Sequence, residues 1–213
     1  MASSPDPRLA SLVSFLHGYP TIQYATPNSP KYSNLRATYS LDNPAVPLAI
    51  VRPKNAEEVA ATVRFARANG IKPVVRSGGN SLFGKSMIQG ALIIDMRDIA
   101  YININDSKTS ATIGGGILFS DLAEVLTKEG FATALGTIPF IGYAGWSTYG
   151  GYGPFSAQYG LGCDNILGAK VVNWKGEVVE ADTDMLKGIR GAGGAFGPIV
   201  ELTIKLYPLM NVS

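Results

Sequence analysis

Residues 74–81 read Val74-Val75-Arg76-Ser77-Gly78-Gly79-Asn80-Ser81, two β-branched residues running straight into a turn of small ones. The side chains shrink where the strand ends, so successive backbone N–H groups are left uncovered. Such a run forms a concave site for an anion. A diphosphate needs that arrangement: several donors, with no side chain standing between them and the charge. A tight glycine turn without a ligand is the alternative, and these eight residues alone leave both open. The spacing matches neither the phosphate loop of nucleoside triphosphatases nor the G-x-G-x-x-G dinucleotide fingerprint.

Working back towards the N-terminus, Lys72–Val75 reads as a strand, and so does the apolar run Leu48–Val51, which stops at Pro53. Between them Asn55 and Glu58 form a capping-box pattern. Ala56, Val59, Ala60 and Val63 fall on one helical face, and Asn69-Gly70 ends the helix. Strand, helix and strand in that order predict a parallel unit. Residues 1–45 carry many Pro, Ser and Asn and one apolar helix-like piece, Leu9–Leu16; they read as an arm lying over the main body.

Working forward, Ala91–Asp95, Ile99–Ile104 and Ser110–Ile113 read as short strands broken by polar turns. A helix follows at about residues 118–129, with Leu118, Leu122, Val125 and Leu126 on one face and Gly130 as its stop. Residues 136–168 are rich in glycine and aromatics with weak periodicity. Ala169–Trp174 and Glu177–Ala181 form a hairpin across Lys175-Gly176. A short helix at Asp184–Arg190 and a closing strand at Ile199–Leu206 complete the pattern. The expected class is α+β, in two lobes at about 46–115 and 116–208, with a tail at 209–213.

The 25 glycines fall in clusters, which marks backbone that takes positive φ or approaches something closely. Six lie between Gly136 and Gly153, interleaved with aromatics, and suit a backbone surface pressed against a flat ring. A loop-rich core packed by its own Tyr and Trp side chains is the alternative. Two further segments, Tyr159–Val172 and Arg190–Gly197, say little alone.

Bulk composition narrows the function. A net charge of +2 gives no electrostatic reason for a nucleic-acid or membrane partner. One cysteine, Cys163, allows no intrachain disulfide and no cysteine-based metal site. With His17 as the one histidine, His-ligated metals and a Ser-His-Asp triad are not expected. No apolar run approaches a membrane span of roughly 20 residues, and Met1–Pro7 lacks the pattern of a signal peptide. A cytosolic location is the resulting expectation.

Taken together, the order and spacing of the four glycine segments resemble the FAD-binding domain of the p-cresol methylhydroxylase (PCMH) and vanillyl-alcohol oxidase superfamily. The match is nearest its berberine-bridge-enzyme-like branch. It runs from Pro47-Leu48-Ala49-Ile50-Val51-Arg52-Pro53 to about Pro208. That branch carries Arg-Ser-Gly-Gly-His-Ser, Gly-Thr-Cys-Pro, Gly-Leu-x-x-Asp-Asn and Arg-Gly-Gly-Gly segments, and this chain has close relatives of each. The resemblance implies FAD between two α+β lobes, its diphosphate on Arg76, Ser77, Gly78, Gly79, Asn80 and Ser81. It implies further contacts from Thr137, Pro139, Gly142, Gly145, Trp146 and Ser147, from Gly150 and Gly151, and from Asn165 and Ile199. Ile141 matches a position that resembles a gate for oxygen. Arg190 is expected at a helix end or the diphosphate.

Two departures bear on chemistry. Asn80 stands where bicovalent members have the histidine joined to the flavin, and Ile138 where they have the linking cysteine. The expected FAD is therefore held noncovalently. Trp146 brings an indole into the site. The substrate domain and the catalytic base that follow in the family lie outside residues 1–213, so no catalytic residue is assigned. The leading function is an FAD-dependent oxidase or dehydrogenase of a small organic molecule. A redox-silent isomerase or cyclase reusing the cleft, and a non-enzymatic subunit, are the alternatives. Tyr143, Trp146, Tyr149 and Tyr152 are candidates for a pocket floor, with packing the competing role. An apolar cleft without its second domain predicts a homodimer or a second polypeptide as cover.

Overall fold

The structure is a computed structural model describing residues 6–40 and 42–209. The expected tail therefore lies, apart from Leu209, outside the described residues. No helix among them is long and apolar enough to cross a membrane.

The first lobe contains helix α1 (Pro7–His17), strand β1 (Gln23–Ala25), helix α2 (Tyr32–Arg36), strand β2 (Ala49–Arg52), helix α3 (Ala56–Ala68), strand β3 (Pro73–Arg76) and strand β4 (Leu92–Asp95). Its sheet has the order β1-β2-β4-β3; β2, β4 and β3 are parallel and β1 is an antiparallel edge. The predicted β2-α3-β3 unit is present, with β4 inserted between its strands. The sequence pattern groups Ala91–Asp95 with the short broken strands that follow, whereas β4 belongs to the first sheet. All four residues of β4 are buried, and a strand covered on both faces reads as a continuous apolar run rather than an alternation.

Helix α3 begins as its sequence predicts. Asn55 Oδ1 accepts from Glu58 N at 2.9 Å. Glu58 Oε2 reaches back to Lys54 N at 2.7 Å, one residue before the cap, and Glu58 Oε1 accepts from the Thr21 hydroxyl at 2.6 Å. The last bond ties in the N-terminal segment, which does more than lie over the body. Its α1 buries Leu12 and Leu16 in the first core, and its β1 extends the sheet.

The second lobe contains strand β5 (Ile102–Ile104), strand β6 (Ser110–Gly114), helix α4 (Phe119–Lys128), strand β7 (Phe131–Ala132), helix α5 (Tyr143–Ser147), helix α6 (Ser156–Tyr159), strand β8 (Ile166–Val172), strand β9 (Val178–Glu180), helix α7 (Thr183–Ala192), strand β10 (Ile199–Lys205) and strand β11 (Tyr207–Pro208). Its sheet is antiparallel throughout, in the order β5-β6-β10-β8-β9. The strand expected from Ile99 starts only at Ile102, because Asp95 accepts from Arg97 N and turns residues 96–98 into a 3-10 helix. On α4, Phe119 takes the core place expected for Val125, which is exposed. The β8–β9 turn is held by Asn173 Oδ1, which accepts from Lys175 N and Glu177 N.

The lobes share a core: Val172 of β8 and Val200 of β10 pack into the first lobe's cluster beside Val59 and Val63. The chain crosses from the first sheet to the second at residues 96–101, so the boundary expected at 115 lies earlier, because β5 and β6 already belong to the second sheet; Gly114-Gly115-Gly116 packs against that crossing. Gly115 N donates to Val200 O and Gly116 N to Ile99 O, both at 2.9 Å. A Cβ on Gly115 would lie 1.9 Å from Ile199 O. Glycine is required here because backbone meets backbone.

Candidate functional site

A cleft of about 800 Å³ opens between the lobes where β3 ends, within the size range of small-molecule sites. The glycine turn after β3 forms one end. Gly142 and α5 form a wall, and Gly194, Ala195 and Gly197 border the far side with Ile199.

The turn is held in shape from behind. The Arg76 side chain points away from the cleft and donates to Leu35 O and, at 2.6 Å, to Ala37 O. These carbonyls at the end of α2 have no further helical turn to bond them, so the guanidinium stitches the N-terminal segment to the loop. Burial pushes the Arg76 pKa down to about 10, with Asp95 pulling the other way, and it stays charged at neutral pH. Gly79 sits directly over this guanidinium with φ +80°, and its carbonyl accepts from Tyr39 N at 3.1 Å. The Ser77 hydroxyl donates to Gly115 O at 3.2 Å, and Asn80 Nδ2 donates to Phe140 O at 2.8 Å. In contrast, the N–H groups of Gly78, Gly79, Asn80 and Ser81 have no acceptor among the described residues. A run of four unpaired donors at the end of a cleft has the donor pattern that an anion requires.

Nine of the expected residues line this cleft: Ser77, Gly78, Gly79, Asn80 and Ser81 at the turn, Gly142, Gly145 and Trp146 on the wall, and Ile199. Ile141 lines it too. Arg76 does not, and Thr137 and Pro139 are exposed outside it; Pro139 O accepts from Ser120 N. Ser147 is buried on the inner side of α5, its hydroxyl unpartnered. Gly150 and Gly151 accept through their carbonyls from Cys163 N and Gly162 N, and Gly151 lies against the Trp146 indole. Asn165 braces backbone, donating to Tyr159 O and Leu161 O while accepting from the Tyr207 hydroxyl. Arg190 donates to Ile166 O, a structural brace and not a cleft contact.

The aromatic candidates separate. Tyr143 is fully buried against Phe119 and Trp146, and burial raises its phenol pKa, so it is packing and not floor. Tyr149 lines the cleft and Tyr152 lies outside it. Trp146 faces the cleft while stacking edge-on with Phe119 at 5.1 Å. Cys163 is half-buried and not a core residue, and His17 is exposed at the end of α1. Sequence reading missed Lys85, Ser86, Met96, Thr148 and Trp174, all of which line the cleft. The first segment continues beyond Ser81, because Gly84, at φ +65°, carries the turn on into Lys85-Ser86.

Whether the cleft suits a long flat cofactor is tested by its glycines. A Cβ built on Gly145 or Gly194 meets no atom within 4 Å, so these two leave room in the cleft itself. Val74, Met96, Ile141 and Ile199 give apolar surface, and Trp146, Tyr149 and Trp174 give aromatic surface. An unpaired-amide turn at one end of an apolar slot fits a dinucleotide that carries an aromatic ring system.

Residues 47–182 match the FAD binding domain family. The chain belongs to that family. It is 36% identical over 205 residues to the FAD-linked oxidoreductase aurO of Gibberella zeae, covering 95% of this chain and 40% of that protein. To (R)-6-hydroxynicotine oxidase of Paenarthrobacter nicotinovorans it is 37% identical over 167 residues, 76% of this chain and 36% of that one. The crystal structure of 6-hydroxy-D-nicotine oxidase from Arthrobacter nicotinovorans superposes with a TM-score of 0.84 at 33% identity, covering 87% of this chain and 42% of that one. BBE-like 1 of Physcomitrella patens superposes at 0.88 and 29%, covering 92% and 44%. The fold is thus the two-lobed PCMH type, and FAD is its cofactor. The chain spans about two fifths of the length of the curated relatives it matches.

Proposed function

We propose that residues 1–213 form the FAD-binding part of an FAD-dependent oxidoreductase acting on a small organic molecule, with the flavin held noncovalently. The observation that carries this is the unpaired N–H run at Gly78–Ser81, placed at one end of a slot that Gly145 and Gly194 keep open. The names of the relatives, oxidoreductases and oxidases, support the reaction class. When bound, FAD supplies the hydride-accepting chemistry. The chain's own residues bind and orient: Gly78–Ser81 meet the anionic part, and Trp146 and Tyr149 offer faces to a ring. Asn80 cannot form the histidyl link, and its amide is already committed to Phe140 O. Ile138 stands outside the cleft and has no sulfur to offer.

The linkage is tested by acid precipitation of the FAD-loaded chain. All of the flavin is expected in the supernatant; flavin that stays with the pellet refutes a noncovalent site.

We also propose that a second copy or a second polypeptide covers the cleft mouth. Phe83, 86% exposed, and Tyr152, 81% exposed, support it as large apolar side chains left in solvent. Light scattering is expected to give a mass near twice 22.5 kDa. The double change Phe83→Glu and Tyr152→Glu is expected to halve it. Both side chains stand in solvent and can be altered without disturbing the core, which is not so for Trp146. A concentration-independent monomer refutes the homodimer.

A further inference from the structure

The turn does not end at Ser81. After two exposed apolar residues, Leu82 and Phe83, the chain bends at Gly84 and brings Lys85 and Ser86 into the lining of the same cleft as the unpaired amides. Among the described residues lining the cleft, Lys85 is the one charged side chain, and no carboxylate shares the lining with it. Its Nζ lies 5.9 Å from the centroid of the Phe83 ring, and it has no salt-bridge partner among the described residues. Ser86 is 8% exposed, and its hydroxyl has no hydrogen-bond partner. A buried hydroxyl without a partner carries a desolvation cost that a native fold normally offsets with a bond, and Ser86 borders the cleft.

We infer that Lys85 and Ser86 are the side-chain half of the diphosphate site, so that this chain holds its dinucleotide with a lysine charge and a serine hydroxyl in addition to backbone amides. The inference rests on the proposed flavin-binding role of the same cleft and adds to it the residues that discriminate phosphate. Several features agree. An anion in a partly enclosed site needs an opposite charge as well as dipoles, because leaving water is expensive for an ion. An ammonium on a flexible stem serves as a point charge for phosphate. The amides of Gly78–Ser81, the Ser86 hydroxyl and the Lys85 ammonium approach one lining from a single stretch of chain, residues 78–86. A cofactor with no covalent link depends on such contacts for its residence in the site.

The test compares three flavins on the 213-residue chain stripped of cofactor: FAD, FMN and riboflavin, the last having no phosphate. Binding is read by quenching of flavin fluorescence, at low and at high salt. The wild type is expected to prefer FAD and FMN over riboflavin. Lys85→Met is expected to weaken FAD and FMN about tenfold, the equivalent of one lost charge-assisted contact. It should leave riboflavin unchanged and flatten the salt dependence, since exposed charges are screened at high ionic strength. Lys85→Arg is expected to restore most of the preference, and Ser86→Ala to weaken FAD several-fold without changing the salt response. Because Lys85 is exposed, its replacement is expected to leave the core intact, with an unchanged thermal melt as the control. Equal losses for all three flavins in Lys85→Met, or no loss for any, overturn the inference while leaving flavin binding in the cleft standing. A wild type that binds none of the three overturns the proposed function and the inference with it.

Discussion

Gly78→Val is expected to cripple FAD binding. A Cβ on Gly78 would lie 2.4 Å from Gly142 N and 2.8 Å from Phe140 O, and both are backbone atoms that no rotamer change can withdraw. The turn must therefore lift off the 140–142 segment, breaking the Asn80–Phe140 bond and scattering the four unpaired amides. Bonds from such amides to a charged acceptor are worth about 1.5–3 kcal/mol each. Losing two of them weakens FAD by at least about a hundredfold. The strain on the fold itself is that of a local overpacking, about 1–3 kcal/mol. A titration of the variant with FAD, paired with circular dichroism, separates the two effects. Undiminished affinity in a folded Gly78→Val chain removes this turn from the site.

Gly115→Val acts where the lobes share a core and is the larger blow to stability. The new side chain would begin 1.9 Å from Ile199 O, on the strand that anchors the second sheet. To admit it, β10 must leave β6, or the Gly115 N to Val200 O bond must break and pull Val200 from the shared core. Overpacking of about 3 kcal/mol together with a lost buried hydrogen bond of about 1 kcal/mol approaches the whole stability of an ordinary domain. The expected result is a chain that is largely unfolded, or that melts far below wild type, by differential scanning calorimetry. A melting temperature within a few degrees of wild type contradicts the shared-core description.

The first lobe is legible in sequence because local signals there agree with tertiary contacts. The Asn55–Glu58 cap, the apolar face of α3 and the halt at Asn69-Gly70 each describe what the backbone does. Strand β4 is the exception. Leu92-Ile93-Ile94 carries no alternation, so nothing local says that it slips between β2 and β3. In the site, the turn at Ser77–Ser81 is readable because small side chains leave only backbone to do the work. Around Thr137–Gly151 the reading thins out. Glycine and aromatic residues there follow no period, so sequence cannot say that Tyr143 points into the core, Tyr149 into the cleft, and Thr137 and Pro139 away from both. Arg76 shows a different limit: its neighbours in sequence form the site, but its own charge is claimed by two carbonyls some forty residues back, Leu35 O and Ala37 O. Ser86 was invisible because an unsatisfied hydroxyl is a property of its surroundings and not of its residue type.

The central claim is that this cleft holds FAD, and a direct titration of the 213-residue chain with FAD measures it. The account predicts saturable binding of one flavin per chain, with bands near 370 and 450 nm (about these wavelengths) carried by the protein through gel filtration. A chain that stays folded and emerges colourless after incubation with excess FAD contradicts it.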